Sequence, residues 1–321
     1  MQATFSPALE SLINQTQEIL GTEVVLHRQQ DAPWGGMLLD MYTYETGKNI
    51  IVYPFNLLGM LKDVVIARKC AALLLKGVAA KQNELRVLSF DDASAAKGMS
   101  QIYLDTLKDE ETRAMPPLKK RKLSFYLYLL VHENLSEVPI EILADIYLFT
   151  QYPPMRNPLV YFLIRESLND MHGLMAVHER IPKRYFVVHN AMYFARDMYY
   201  ADAMSAVPLN PIINIPEMEK FKNLDLKEMM SSRWRQSPWY HTKVVGDFLH
   251  RKLVQLMAAT TGKDSVGDLN EYFRLHTHIT NRWIEILHMT DWYPWQAPSH
   301  LRNAMKQRQE IEDRVAAKIF S

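Results

Sequence analysis

The chain has one cysteine, Cys70. An internal disulfide is therefore excluded, and the composition suits a reducing compartment. Glycine is scarce, at 11 in 321 residues, while methionine is plentiful at 18, a balance that fits a helical protein better than a β-rich one. Charge of either sign is not in excess. The net charge of +1 exerts no global pull toward nucleic acid or an anionic membrane. Met1-Gln2-Ala3-Thr4-Phe5 lacks the basic and apolar regions of a secretory signal, so a cytoplasmic protein is expected. There is no Gly-x-Ser-x-Gly, no P-loop and no Gly-x-Gly-x-x-Gly, so the common hydrolase and nucleotide signals are missing. No fixed-period repeat and no low-complexity segment is present.

What is there is organised around Gly47 to Gly77. Asn49-Ile50-Ile51-Val52-Tyr53 is a β-branched run stopped by Pro54. From Leu57 to Leu75, apolar residues recur at helical spacing and also occupy the other faces, which marks a buried helix. Lys62, Asp63, Arg68 and Lys69 near its middle argue against a membrane span. Leu61, Val65 and Leu74 are expected to be almost fully buried. Ser6-Pro7 opens an earlier helix that Gly21 closes. Thr22–Arg28 and Met37–Tyr44 read as strands, and Arg86–Phe90 as one more. Beyond Asp91, prolines and caps punctuate helices: Pro117 to about Asn134, Pro139 to Gln151, Asn157 to Pro182, Pro182 to Ala206, then Pro238–Thr261, Ser265–Thr290 and Pro298–Phe320. The stripe Leu269, Phe273, His276, Thr280, Trp283, Leu287 is typical of them. Ile212–Ile215 is the sole strand signal in this half. The fold class expected is α+β and predominantly helical. A small α-β-β-β-α lobe, residues 1–95, packs against a helical lobe, residues 96–321.

The order helix, three strands, long buried helix resembles the start of zincin-like metallopeptidases, particularly the cytosolic ImmA/IrrE-type group. In that family the helix carries HExxH, whose histidines at i and i+4 hold zinc and whose glutamate activates water. Within Val65–Gly77 the matching positions are Arg68, Lys69 and Ala72. A guanidinium stays charged and a methyl has no lone pair, so zinc has no site there. The resemblance therefore implies a degenerate scaffold without peptidase activity. It also implies that Arg68 points into the former metal cleft and meets a carboxylate, since a buried guanidinium without one is costly. An ordinary α/β lobe would instead let Arg68 reach solvent.

Other candidates weigh less. Asp247–His250 and Glu285–His288 are acid-x-x-His pairs on two helices, the pattern of di-iron bundles, with Glu133 and Glu166 as the lone glutamates such a site would add. Chance accounts for pairs of this kind in a chain with 11 histidines. Lys119-Lys120-Arg121-Lys122 opens a helix, where cations oppose the dipole. Arg233, Trp234 and Arg235 interleave cations with aromatics, a composition able to stack bases and contact phosphates. Near-neutral net charge disfavours nucleic acid as the partner. Asp197 and Asp202, set among tyrosines, are the carboxylates to inspect for burial. His276 and His278 diverge on their helix and are expected to be structural. Cys70, in the most apolar helix, is expected to be inert core. The sequence favours a non-catalytic interaction or regulatory protein with a protein partner and no cofactor. The alternatives are a metal-dependent enzyme with its site in the helical lobe and a nucleic-acid-binding protein.

Overall fold

A computed structural model describes residues 5–44, 46–175, 180–209, 225–232, 234, 240–261, 269–303 and 306. The fold is α+β and predominantly helical, with a small sheet near the N-terminus. Helix α1, Pro7–Leu20, starts where the Ser6 side chain accepts from the Leu9 N–H, and ends at Gly21 with φ +67°. Strands β1 (Val24–Gln29), β2 (Met37–Leu39) and β3 (Asn49–Pro54) form a sheet in the order β1-β3-β2. Strand β3 lies parallel to β1 and antiparallel to β2.

Helix α2, Gly59–Lys81, crosses this sheet and also packs against helices on its other sides. Val65 and Leu74 are fully buried, as its apolar faces require, whereas Leu61 near the start is only partly so. The surprise is polar: Lys62, Asp63, Arg68 and Lys69 are buried as well. Asp63 holds α1 in place by accepting the Ser6 backbone N–H at 2.8 Å.

The second half begins earlier than Pro117. Strand β4 (Val87–Leu88) is followed by α3 (Asp92–Lys108), a helix the apolar pattern does not announce. Its start is a capping box in which Asp91 and Ser94 satisfy each other's backbone N–H groups. Gly98 lets α3 close onto α4; a Cβ there would stand 2.5 Å from the Tyr128 ring.

Helix α4 runs unbroken from Pro117 to Gln151. The two helices expected on either side of Pro139 are thus one. Proline inside a helix removes the N–H that would bond the carbonyl four residues back, here Leu135. Tertiary contacts replace it. Thr280 donates its hydroxyl to the Leu135 carbonyl at 3.3 Å, and His276 Nε2 donates to the Ser136 carbonyl at 3.2 Å. Both donors sit on α9, so two polar members of its apolar stripe face α4.

After a 3-10 turn at Pro153–Met155 come α5 (Arg156–Met175), α6 (Lys183–Ala203), α7 (Leu226–Ser232), α8 (Tyr240–Thr261) and α9 (Leu269–Ile286). A two-residue strand β5, Trp295–Gln296, pairs antiparallel with β4. Sequence pattern misses it because so short a strand has no periodicity to read. The strand expected at Ile212–Ile215 and most of the last expected helix lie outside the described residues. One continuous hydrophobic core extends from α1 to the residues following α9.

Candidate functional site

The site assembles around Arg68, in the middle of α2. Its guanidinium donates through Nε and Nη2 to the two Asp145 oxygens, at 2.7 and 2.9 Å. Nη1 donates to Glu166 Oε1 at 2.9 Å. The next residue, Lys69, donates to Glu141 Oε1 at 3.0 Å. Glu141 and Asp145 share one face of α4, four residues apart, and that face looks at α2. Glu166 comes from α5. From α6, Arg196 lies 3.5 Å from the second Glu166 oxygen and also reaches Asp197. Ser167 donates to Asp197 at 3.1 Å, and Tyr200 donates to Asp145 at 2.5 Å. Four helices thus converge on three cations and four carboxylates.

A turn of the N-terminal lobe roofs the cluster. Trp34 stacks on Phe162, with centroids 5.9 Å apart and planes 2° from parallel. Arg68 lies over the other ring of that stack, 4.9 Å from the Phe162 centroid. Gly35 sits so near Glu166 that a Cβ would stand 3.0 Å from Oε1. At Gly36, φ is +69° and a Cβ would stand 2.6 Å from Val65. Both glycines are needed to bring backbone this close.

The electrostatics are those of a closed network. Arg68 is 2 % exposed and Asp145 and Asp197 not at all. Burial would lower the guanidinium's pKa, but Asp145, Glu166 and Glu141 outweigh it and push it well up. Burial would raise Glu141, but Lys69, Arg68 and Arg196 bring it down to about 2. Tyr200 is pushed well up, first by burial and then by Asp145, so its hydroxyl stays a donor. Beside Lys69 and Ala72 a cavity of about 10 Å³ persists, walled by Glu137, Glu141 and Leu38. That is the space of a single water.

Chemically, the carboxylates that a metal would need are occupied by cations. Ala72 offers no ligand. The neighbouring thiol of Cys70 is pushed up to about 12 by burial, so it is neither a nucleophile nor a thiolate ligand at neutral pH. The arrangement binds helices together.

The other sequence candidates are placed apart from this cluster. Asp247 pairs with Lys243 at 2.6 Å, His250 with Asp202 at 3.1 Å, and Glu285 with Arg282 at 2.6 Å. His288 follows the end of α9, with φ +56°. Among the described residues no three of His, Cys, Asp and Glu come together as metal ligands would. Glu166 belongs to the ionic cluster instead. Asp197 is buried, whereas Asp202 is exposed and bridged to Lys227. In the basic run, Lys119 and Arg121 face solvent. Lys120 is buried and donates to the Arg113 carbonyl at 2.6 Å, which interrupts the run as a surface. Trp234 is buried against Phe194; Arg233 and Arg235 lie outside the described residues.

Sequence reasoning missed Glu141, Asp145 and Arg196. A signal existed: Glu137, Glu141 and Asp145 recur every four residues through the apolar second half of α4, a polar seam that needs cations where it is buried. Comparison of the chain with family models, with curated proteins and with solved structures gives no match.

Proposed function

We propose that this chain is a cytoplasmic, non-catalytic interaction or regulatory protein, built on a zincin-like scaffold whose metal has been replaced by side-chain cations. It binds a protein partner through its helical lobe. One observation carries the reading: Arg68 and Lys69, at the positions where HExxH would begin, are turned inward onto Asp145, Glu166 and Glu141. Had α2 been an ordinary lobe helix, an exposed arginine would satisfy it. A thermolysin-type zinc site takes two histidines from the motif and a glutamate from elsewhere. Glu141 stands in that relation to α2, with an ammonium where the metal would be. The positive charge that balanced the cleft is retained, and the chemistry is not.

The test is to reverse the replacement. Arg68→His and Ala72→His together provide two ligands that, with Glu141, could bind zinc, and Lys69→Glu restores the water-activating carboxylate. The variant should take up about one zinc per chain and melt at a higher temperature with zinc than with a chelator. The natural chain should carry no stoichiometric metal by elemental analysis. A folded triple variant indifferent to zinc would remove the scaffold argument. One bound metal per natural chain, lost in Asp247→Ala or Glu285→Ala, would place the protein among metalloproteins instead.

A further inference from the structure

We infer that the cavity between the first turns of α6 and α8 and the end of α9 is a binding site for a small carboxylate carried on an aliphatic chain. The cavity has a volume of about 690 Å³, inside the range of small-molecule sites, roughly 300–1,000 Å³. It lies apart from the Arg68 cluster and does not depend on the function proposed above.

The floor is aliphatic. Val187 and Val188 of α6, Val245 of α8 and Ile286 of α9 line it, and among the described residues no acidic side chain does. The rim is basic: Lys183, Arg184, His241 and His288. An apolar floor under a cationic rim matches a molecule with an apolar body and an anionic end. The backbone adds to the field. The helices α6 and α8 both begin at this cavity, so the positive ends of two helix dipoles face it.

The head group follows from which donors are free. Arg184 is engaged, pairing with Asp105 at 3.0 Å and donating to the Leu287 carbonyl at 3.4 Å. Its planar fork is therefore not open for the bidentate grip that favours phosphate. Lys183 is exposed, and its ammonium forms no ion pair among the described residues; only its backbone N–H is used, by Asp109. A point charge beside imidazoles suits a single carboxylate.

Decanoate, titrated against the whole protein at fixed salt below its aggregation concentration, tests this. Hexanoate and 1-decanol serve as controls for the tail and the head. Decanoate should bind at least about tenfold tighter than hexanoate, because more of its methylenes lie on the floor. It should also bind at least about tenfold tighter than 1-decanol. Lys183→Glu, a change at an exposed residue, should weaken decanoate about tenfold or more while leaving decanol unchanged and the far-ultraviolet circular dichroism intact. The imidazole resonances of His241 and His288 should shift on titration. No decanoate binding up to millimolar concentration, equal affinity for decanol, or indifference to Lys183→Glu would each overturn the assignment.

Discussion

Arg68 and Asp145 meet across α2 and α4 as a two-point pair, both side chains buried and both guanidinium–carboxylate distances under 3 Å. Removing one member leaves the other charged and buried. Arg68→Ala should therefore lower unfolding free energy by about 3–5 kcal/mol. Replacing both, as Arg68→Met with Asp145→Leu, should cost less than Arg68→Ala alone. Urea denaturation of the two variants and the natural chain decides it. If the double variant is the weakest, the pair is stabilising in its own right.

Two buried histidines, His189 and His276, contribute most clearly to the response to mild acid, and His250, lowered chiefly by burial, adds in the same direction. His189 is brought down to about 4, chiefly by burial and then by Arg196; His276 is brought down to about 4 by burial, only partly opposed by its bond to Ser136. An unfolded histidine titrates near 6.5. Between these values the unfolded chain takes up protons that the folded chain refuses, so stability falls as pH drops from about 6.5 toward 4. His276→Gln keeps a donor for the Ser136 carbonyl and should flatten that slope. Glu141, held near 2, acts in a different window: its contribution is full above about 4.5 and lost as pH falls through 2. Lys69→Gln should lower stability by a constant amount above about pH 4.5 and change the slope only in the lower window. Denaturation midpoints measured from pH 7 to 2 separate the two.

At Gly98 two effects oppose. Alanine in mid-helix gains about 1 kcal/mol over glycine. Its methyl would stand 2.5 Å from the Tyr128 ring and 3.3 Å from Trp292, both held in the core. Overpacking costs about 1–3 kcal/mol, so Gly98→Ala should be net destabilising. A rise in melting temperature would show that α3 can lift from α4.

Pro139 and Thr280 should be coupled although they sit on different helices. Thr280→Val strands the Leu135 carbonyl and should cost about 1–3 kcal/mol. In a Pro139→Ala background the helix supplies its own N–H, and the same change should cost markedly less. Equal costs in a double-mutant cycle would show that the hydroxyl does not serve that carbonyl.

These pairs mark where sequence stops being informative. The α2 helix is legible because its hydrophobic faces are unambiguous, and Arg68 within it because a charge there needs a partner. Its partners are less so. Asp145 and Glu166 lie 77 and 98 residues further along the chain, and only folding brings them to one point. Pro139 reads locally as a helix start, and the reason it is not one lies on α9. The α3 helix is absent from the sequence reading because it has no apolar stripe: apart from Ile102 it buries only Ser94, Gly98 and Thr106. Trp34 and Gly35 give no sign of roofing a charge cluster, because the loop that carries them is read only as a turn.

The proline in α4 has a consequence for how the chain is made. The Leu135 carbonyl it frees is served by Thr280, 145 residues downstream, and the neighbouring Ser136 carbonyl by His276, 140 residues downstream. A ribosome adding about 5–20 residues per second exposes α4 for roughly 7–30 seconds before its hydroxyl and imidazole partners are synthesised. During that interval the Leu135 carbonyl lacks its α9 donor and is left to solvent. Docking of α9 is then a drying step, in which the Thr280 hydroxyl takes the place of solvent at the Leu135 carbonyl. Chains truncated before α9 should be held in that wetted state, whatever the strength of the N-terminal core.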